Sequence, residues 1–190
     1  MACDDGRVEK LGGGFTVLAC IYWVKGLGPL DASLKLSRID GLDAGSMIAY
    51  MAMELGGPGR VEAVLLDSIT VAGFNIASPA TIHRLSGVPV VILYKYRPDP
   101  ARLIDTVRKH LPHADARARA LTILDRITEA RTRRGTLYML AWGMSHRRAI
   151  GLVEDLQVHA RMPEPLRLAH YIASEASSVL SCMEGRNYSP

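Results

Sequence analysis

The chain has 190 residues and a net charge of +4, from 23 lysines and arginines against 19 aspartates and glutamates. Apolar residues make up 48% and charged residues 22%, a globular composition that excludes a disordered or collagen-like chain. No stretch is long and apolar enough to span a membrane, and the sequence MACDDGRVEK is unlike a secretory signal. We therefore expect one soluble, cytoplasmic domain over residues 1–190.

Cys3, Cys20 and Cys182 form no CxxC pair, and their number is odd. This pattern predicts reduced cysteines rather than a disulfide framework or a zinc ribbon.

Charge is divided unevenly along the chain. Residues 1–83 carry 6 basic and 9 acidic side chains, a balance of −3, whereas residues 84–134 carry 12 and 5, a balance of +7. Such a division fits a carboxylate site beside a phosphate-binding surface, and it also fits solvated helix faces.

The first half alternates strand and helix signals. β-Branched and aromatic runs predict strands over 15–23, 30–39, 61–66 and 88–94, the first two paired as a hairpin. Asp43 is a candidate N-cap for a helix ending near Leu55, and Ser78-Pro79 opens a helix ending at Gly87.

The second half is mainly helical. We predict helices over 98–111, 114–134, 145–158 and 164–180, and one strand over 136–142. An antiparallel hairpin followed by alternating strands and helices predicts an α/β fold, a mixed sheet with helices on both faces. This is the outline of a ribonuclease-H-like fold, and periodicity alone does not separate it from other α/β sandwiches.

Two acidic positions fall where such sheets bind ligands. Asp67 follows a hydrophobic strand directly, and a short first strand pairing beside it would bring Asp4 to the same edge. Clustered carboxylates are stabilised by a cation, and hard oxygen ligands suit Mg²⁺ or Mn²⁺. The alternatives are a turn residue for Asp67 and a solvated terminus for Asp4.

Basic side chains could hold a nucleic-acid backbone near these carboxylates. Lys95 ends the strand VVILYK, and Arg97, Arg102 and Lys109 follow in the basic segment. The alternative for Lys95 is a strand-end lysine that reaches solvent, which is the commoner role of such a residue. In the C-terminal helix, Arg167 and His170 lie one turn apart. This helix has two possible roles: it packs its apolar face against the core, or it also brings these two side chains to the edge of the sheet where the carboxylates lie.

Three segments resemble a known family. VEAVLLDSITVAGFNI (61–76), LSGVPVVILYKYRP (85–98) and MPEPLRLAHYIAS (162–174) are similar to the archaeal endonuclease-V-like family, domain of unknown function 99. That family is in turn similar to endonuclease V, a Mg²⁺-dependent nuclease of ribonuclease-H-like fold. The resemblance implies that Asp4 and Asp67 are metal ligands and that Lys95 is the strand-end lysine of the site.

The sequence also departs from endonuclease V. The segment RIDGLDAGSM has Asp40 in place of a proline and Met47 in place of the catalytic glutamate, and Met144 occupies the position of a late histidine. Asp43 or Asp40 could replace the missing carboxylate, and we take Asp43 as a candidate third metal ligand.

Three functions follow. The first is a Mg²⁺- or Mn²⁺-dependent nuclease in which Asp4, Asp67 and Lys95 are catalytic and Arg97, Arg102, Lys109 and Arg167 hold nucleic acid. The second is a non-catalytic nucleic-acid- or protein-binding module on a degenerate nuclease scaffold. The third is a hydrolase of small phosphate esters. We also expect a homodimer through the exposed edge of the short first strand.

Overall fold

The computed structural model of the chain describes residues 1–8 and 13–186. The strands of this part are β1 (Ala2–Asp5), β2 (Phe15–Val24), β3 (Gly28–Arg38), β4 (Val64–Leu66), β5 (Thr70–Val71), β6 (Asn75–Ile76), β7 (Val90–Tyr94), β8 (Thr128–Thr132) and β9 (Gly135–Trp142). The helices are α1 (Ala44–Glu54), α2 (Pro79–Ser86), α3 (Pro100–His110), α4 (Ala114–Leu121), α5 (His146–Leu156) and α6 (Glu164–Arg186).

Seven strands form one mixed sheet in the order β3-β2-β1-β4-β7-β9-β8. The three central strands, β1, β4 and β7, run parallel to one another, and the remaining neighbours pair antiparallel. The predicted mixed sheet and the predicted hairpin of β2 and β3 are confirmed. The strands β5 and β6 form a separate small hairpin directly after β4.

Successive side chains of the central strands point alternately to the two faces of the sheet, so the core consists of two clusters, one on each face. In β4, Val64 and Leu66 pack in one cluster with α1 and α2, whereas Leu65 packs in the other with α5 and the start of α6. The strand β7 alternates in the same way. Successive side chains of a strand point to opposite faces, so a continuous apolar run requires helices on both.

Most helix boundaries agree with the capping signals in the sequence. Ser78 accepts a hydrogen bond from the backbone N–H of Thr81, and Asp99 accepts one from Arg102. Asp43 occupies the N-cap position of α1, but its side chain makes no capping hydrogen bond.

The predicted long helix over 114–134 is wrong. Helix α4 ends at Leu121, a 3₁₀ turn spans Thr122–Arg126, and the remainder forms the edge strand β8. The apolar residues Leu121, Leu124 and Ile127 are buried as expected. Their spacing fits a helix as well as a turn, so periodicity alone could not identify the change to a strand.

Two further expectations are corrected. Strand β1 lies in the middle of the sheet between β2 and β4, so it offers no free edge for a dimer. Cys3 and Cys20 are joined by a disulfide, because the antiparallel pairing of β1 and β2 places them directly opposite each other. Their separation in sequence gave no sign of this pairing; Cys182 is exposed and lies outside the disulfide.

Among the described residues, no helix is both long enough and apolar enough to cross a membrane.

Candidate functional site

The site lies at the carboxyl ends of the three parallel strands. Asp4 is in β1, Asp67 follows β4 and Lys95 follows β7. Because these strands are neighbours in the sheet, their carboxyl ends meet at one edge. The predicted convergence of Asp4, Asp67 and Lys95 is therefore what the fold produces.

These three side chains line one cavity of about 530 Å³. The other lining residues come from α6 and the segment before it: Ala160, Arg161, Met162, Leu166, Arg167, His170 and Tyr171. The cavity thus combines two carboxylates on the sheet with basic side chains on the opposite wall.

The carboxyl groups of Asp4 and Asp67 are close enough for each to affect the ionisation of the other. Asp4 is 4% exposed; its burial, followed by the negative charges of Asp67 and Asp5, raises its pKa to about 8. Burial also raises the pKa of Asp67, while the charges of His170 and Lys95 oppose that rise. At neutral pH the pair therefore requires a shared proton or a cation.

His170 contacts the same pair from α6. Its Nδ1 lies 2.9 Å from Oδ2 of Asp4, and the imidazole is 59% exposed. The other oxygen of Asp4, Oδ1, accepts a hydrogen bond from the backbone N–H of Asp5 at 2.8 Å. Both oxygens are therefore oriented by the protein.

Close contact of α6 with β2 and with Gly6, just after β1, fixes the position of His170. Ser177 Oγ lies 2.9 Å from Thr16 Oγ1 and accepts a hydrogen bond from the Val17 N–H at 2.9 Å. Gly6 fits beneath the helix because it has no side chain: a Cβ there would lie 1.8 Å from Ser177 Oγ and 2.4 Å from the Ala173 carbonyl oxygen.

The loop after β4 is held by polar contacts that keep Asp67 in place. The backbone N–H of Ile69 donates to the hydroxyl of Tyr94 at 2.9 Å. Asp5 Oδ2 accepts a hydrogen bond from the Ala72 N–H at 2.8 Å, and burial raises the pKa of Asp5 to about 6.

The donor set fits a hard divalent cation. Mg²⁺ is commonly held by one or two carboxylates, with water and substrate phosphate completing its coordination. Asp4 and Asp67 supply such a carboxylate pair; burial raises the pKa of both groups, so a bound cation would stabilise their ionised forms. In the described part of the chain, no group of three or more His, Cys, Asp or Glu side chains is arranged to hold a metal.

Asp43 does not line this cavity. Its Oδ1 accepts a hydrogen bond from Asn75 Nδ2 at 2.8 Å, at the start of α1. Met47 packs partly buried against the core cluster of α1, and Met144 packs against the cluster of α5. Neither methionine position therefore supplies a polar group to the cavity.

The predicted nucleic-acid-binding residues are divided between the site and its surroundings. Arg167 lines the cavity and forms an ion pair with Glu164 at 2.8 Å. Arg97 lines an adjoining depression that is also lined by Asp67 and Lys95. Arg102 and Lys109 lie on α3 outside both, and Lys109 pairs with Asp105 at 2.7 Å.

Sequence reasoning missed Arg161 and Tyr171 and treated His170 only as an alternative. Arg161 precedes α6, and its guanidinium lies 5.5 Å from the ring centre of Tyr96, which fixes it beside the cavity. The signal for His170 was its position one turn after Arg167, but only the fold shows which strand that turn faces.

The fold defines a class of protein. The human ENDOV structure matches with a TM-score of 0.60 at 15% identity, covering 95% of this chain and 84% of the other. A Ciona intestinalis endonuclease V, in complex with a 24mer DNA containing an inosine followed by a ribo-adenosine, matches with a TM-score of 0.61 at 9% identity, covering 94% and 85%. The chain therefore has the ribonuclease-H-like fold of the endonuclease V proteins.

Sequence comparison is more specific. Residues 1–177 match the family described as Endonuclease dU, and the chain belongs to that family. A UPF0215 protein of Aeropyrum pernix is 50% identical over 184 residues, covering 95% of this chain and 98% of the relative. A protein of unknown function from Archaeoglobus fulgidus is similar in structure, with a TM-score of 0.80 at 24% identity over 92% of this chain and 95% of the other. The resemblance to an archaeal endonuclease-V-like family is thus confirmed.

Proposed function

We propose that this protein is a divalent-metal-dependent endonuclease that cleaves a phosphodiester bond in DNA containing deoxyuridine. The observation that carries the proposal is the pairing of buried Asp4 with Asp67 in a cavity that also presents Lys95, Arg161 and Arg167. The family description, Endonuclease dU, supports the substrate. Binding of DNA by the Ciona neighbour supports nucleic acid as the partner.

In this proposal Asp4 and Asp67 hold Mg²⁺ or Mn²⁺. When bound, the ion supplies an activated water and stabilises the charge that develops on the phosphate. Asp4 is oriented for this task by its hydrogen bonds to His170 and to the backbone of Asp5. Polar partners of this kind fix the geometry of a ligand and tune its basicity.

The basic side chains hold the phosphate. Lys95 and Arg167 line the same cavity as the carboxylates, so they can contact non-bridging oxygens of a phosphodiester placed against Asp67. Arg167 is partly neutralised by Glu164, which limits its contribution. Arg97, Arg102 and Lys109 lie outside the cavity and would contact neighbouring phosphates, giving affinity that falls with salt.

His170 is suited to move a proton. Its Nδ1 contacts Asp4 and its ring is more than half exposed, so the other nitrogen can reach solvent or a leaving group. Protonated His170 donates to ionised Asp4, and neutral His170 accepts a proton from the carboxyl group.

A DNA duplex with a single deoxyuridine tests the proposal against the same duplex with thymidine. We expect Mg²⁺-dependent strand cleavage of the first, stopped by EDTA, and a loss of at least about 100-fold in Asp4→Asn and Asp67→Asn. Asp125→Asn, an exposed aspartate on the 3₁₀ turn after α4, is the matched control. Cleavage that persists in Asp67→Asn or in EDTA would remove the mechanism.

A second candidate function is a non-catalytic nucleic-acid-binding module. It is favoured by Met47, which packs against apolar residues where endonuclease V is expected to have a carboxylate, so the cavity offers two acidic side chains. This alternative predicts binding to labelled DNA that weakens linearly with the logarithm of salt, is unchanged by EDTA and leads to no cleavage. Turnover of mononucleotides instead of DNA would favour a small phosphate-ester hydrolase.

A further inference from the structure

The strand β3 forms one edge of the seven-stranded sheet. It is eleven residues long, and no strand of the described residues lies beyond it. A bulge near Leu30 interrupts its pairing with β2, whereas Asp31 to Arg38 pair regularly. Long exposed edges are uncommon in folded proteins because their unpaired backbone groups pair readily with another strand.

The pairing of β2 shows which backbone groups of β3 are free for a partner. The Val17 carbonyl accepts a hydrogen bond from Gly6 on the β1 side, so its neighbours on β2 bond toward β3. Leu18 and Cys20 therefore bond with Lys35 and Ser33, opposite them in register. The intervening residues of β3 direct their N–H and C=O groups outward: Ala32, Leu34 and Leu36.

The charges of β3 are self-complementary about Ser33. In an antiparallel pair of two identical strands centred on this residue, Asp31 of each copy faces Lys35 of the other. An axis centred on Asp31 or on Lys35 would instead place that residue opposite its own copy, so like charges would meet. An axis centred on Ala32 or on Leu34 would place Asp31 and Lys35 opposite uncharged residues. Cross-strand pairs of opposite charge are favourable, and like pairs are not.

The same register also places apolar side chains opposite one another and aligns the outward-facing backbone N–H and C=O groups of the two strands. Ala32 faces Leu34 of the second copy, and both carry outward backbone groups. Leu36 lies opposite the bulge at Leu30; both side chains are half exposed, as is that of Leu34. Ser33 is the middle residue of β3, so this axis places the two strands evenly against each other, with the bulges at the two ends of the contact.

We propose that β3 is an interface for a second copy of this chain, joined antiparallel about a two-fold axis at Ser33 so that the two seven-stranded sheets become one continuous sheet. In the single chain Lys35 bonds Glu54 at 2.7 Å, and Asp31 lies 4.0 Å from Arg60 and accepts the Ala32 N–H. When the two strands pair, the Ala32 N–H exchanges its hydrogen bond with Asp31 for one with the facing strand. The Asp31 carboxylate then forms an ion pair with Lys35 of the second copy.

Charge reversal tests the register directly. The wild-type chain is expected to sediment as a dimer. Asp31→Lys and Lys35→Asp are each expected to halve the sedimenting mass, because positions 31 and 35 then carry the same charge and face each other at both ends of the two-fold interface. Mixing the two variants restores a dimer, because positions 31 and 35 are both lysine in the first variant and both aspartate in the second. Thermal unfolding of each variant verifies that it is folded.

A cross-link gives a second, independent measurement. In a Cys182→Ser background, Ser33→Cys is expected to form an intermolecular disulfide under mild oxidation, because this residue faces itself across the axis. Lys35→Cys, two residues away, is the matched control and is expected to remain unlinked. A wild-type chain that stays monomeric at several hundred micromolar would overturn the proposal, and so would a dimer that neither charge reversal weakens.

Discussion

The imidazole of His170 and the carboxylate of Asp4 are 166 residues apart in the chain and form a hydrogen bond of 2.9 Å. The contact joins β1, one of the three central parallel strands, to α6. It also gives the candidate metal pair a polar partner that is separate from the basic side chains.

Replacing His170 should impair the site without unfolding the protein. We expect His170→Ala to lower Mg²⁺-dependent cleavage about 10- to 100-fold, because Asp4 loses the group that orients it. His170→Asn retains an N–H near the position of Nδ1 and should recover part of the loss. The measurement is the rate as a function of Mg²⁺ concentration and pH. Glu175→Ala, on an exposed part of the same helix, is the control, and equal loss in both variants would refute a specific role.

The carboxylate pair predicts how stability depends on pH when no divalent ion is bound. The pKa of Asp4 is raised from 3.8 to about 8, so the folded state binds more protons than the unfolded state between these values. The protonated Asp4 carboxyl group contributes its full stabilisation of the folded state below the unfolded pKa of 3.8. This contribution to the free energy of unfolding, on the order of a few kcal/mol, is lost as the pH rises toward the folded pKa of about 8.

Thermal unfolding in EDTA should therefore show a melting temperature that falls across this range. Asp4→Asn should flatten the fall, since the amide does not titrate, and Mg²⁺ should reverse it by occupying the pair. Asp125→Asn should follow the wild-type curve. A wild-type melting temperature that rises steadily from about pH 5 to about pH 8 in EDTA would contradict the burial of an ionisable pair.

Gly6 is required where α6 crosses the end of β1. Gly6→Ala would place a Cβ 1.8 Å from Ser177 Oγ and 2.4 Å from a backbone carbonyl oxygen, so the helix must shift. We expect a loss of about 1–3 kcal/mol in the free energy of unfolding and a fall in activity, because His170 moves with the helix. Gly13→Ala has no atom within 4 Å of the new Cβ and serves as the control in chemical denaturation. Equal stability of the two variants would show that the helix can adjust.

Arg117 is a buried cation that joins three segments. Its guanidinium donates to the carbonyl oxygens of Asp40, Phe74 and Pro112, and the side chain is 2% exposed. Arg117→Met leaves these carbonyls without their donor and should cost about 3 kcal/mol in denaturant unfolding. Arg119→Met, exposed on the same helix, should change stability by less than about 0.5 kcal/mol. A small effect at both positions would mean that water replaces the guanidinium.

The disulfide can be checked by counting thiols. Unfolded in denaturant without reductant, each chain should react at one cysteine, Cys182, and at three after reduction. Cys182→Ser should lower both counts by one. Three reactive thiols before reduction would show that Cys3 and Cys20 are not joined.

The arrangement of Asp4, Asp67 and Lys95 was predicted from the strand signals before Asp67 and Lys95 together with the resemblance to the endonuclease-V-like family. The carboxyl ends of parallel strands meet at one edge of a sheet, but the residues around Asp4 gave no strand signal of their own. The sequence could not predict that β8 replaces the end of a long helix, because Leu121, Leu124 and Ile127 fit the helical period.

Contacts between segments that are distant in the chain could not be predicted from the sequence either. Asp43 has a favourable residue type, yet its hydrogen bond with Asn75 depends on how the loop after β4 folds back. Cys3 and Cys20 meet only because the register of β1 against β2 aligns them. Such pairings depend on tertiary structure, and local propensity carries no information on them.

The distance in sequence between Asp4 and His170 has a consequence for biosynthesis. During translation the sheet strands β1 to β4 leave the ribosome long before α6, so a nascent chain carries Asp4 and Asp67 without His170, which orients Asp4. The complete constellation arises only when the last helix docks. A growing polypeptide surrounded by ribosomal RNA and messenger RNA therefore does not present the finished pocket until α6 has been synthesised.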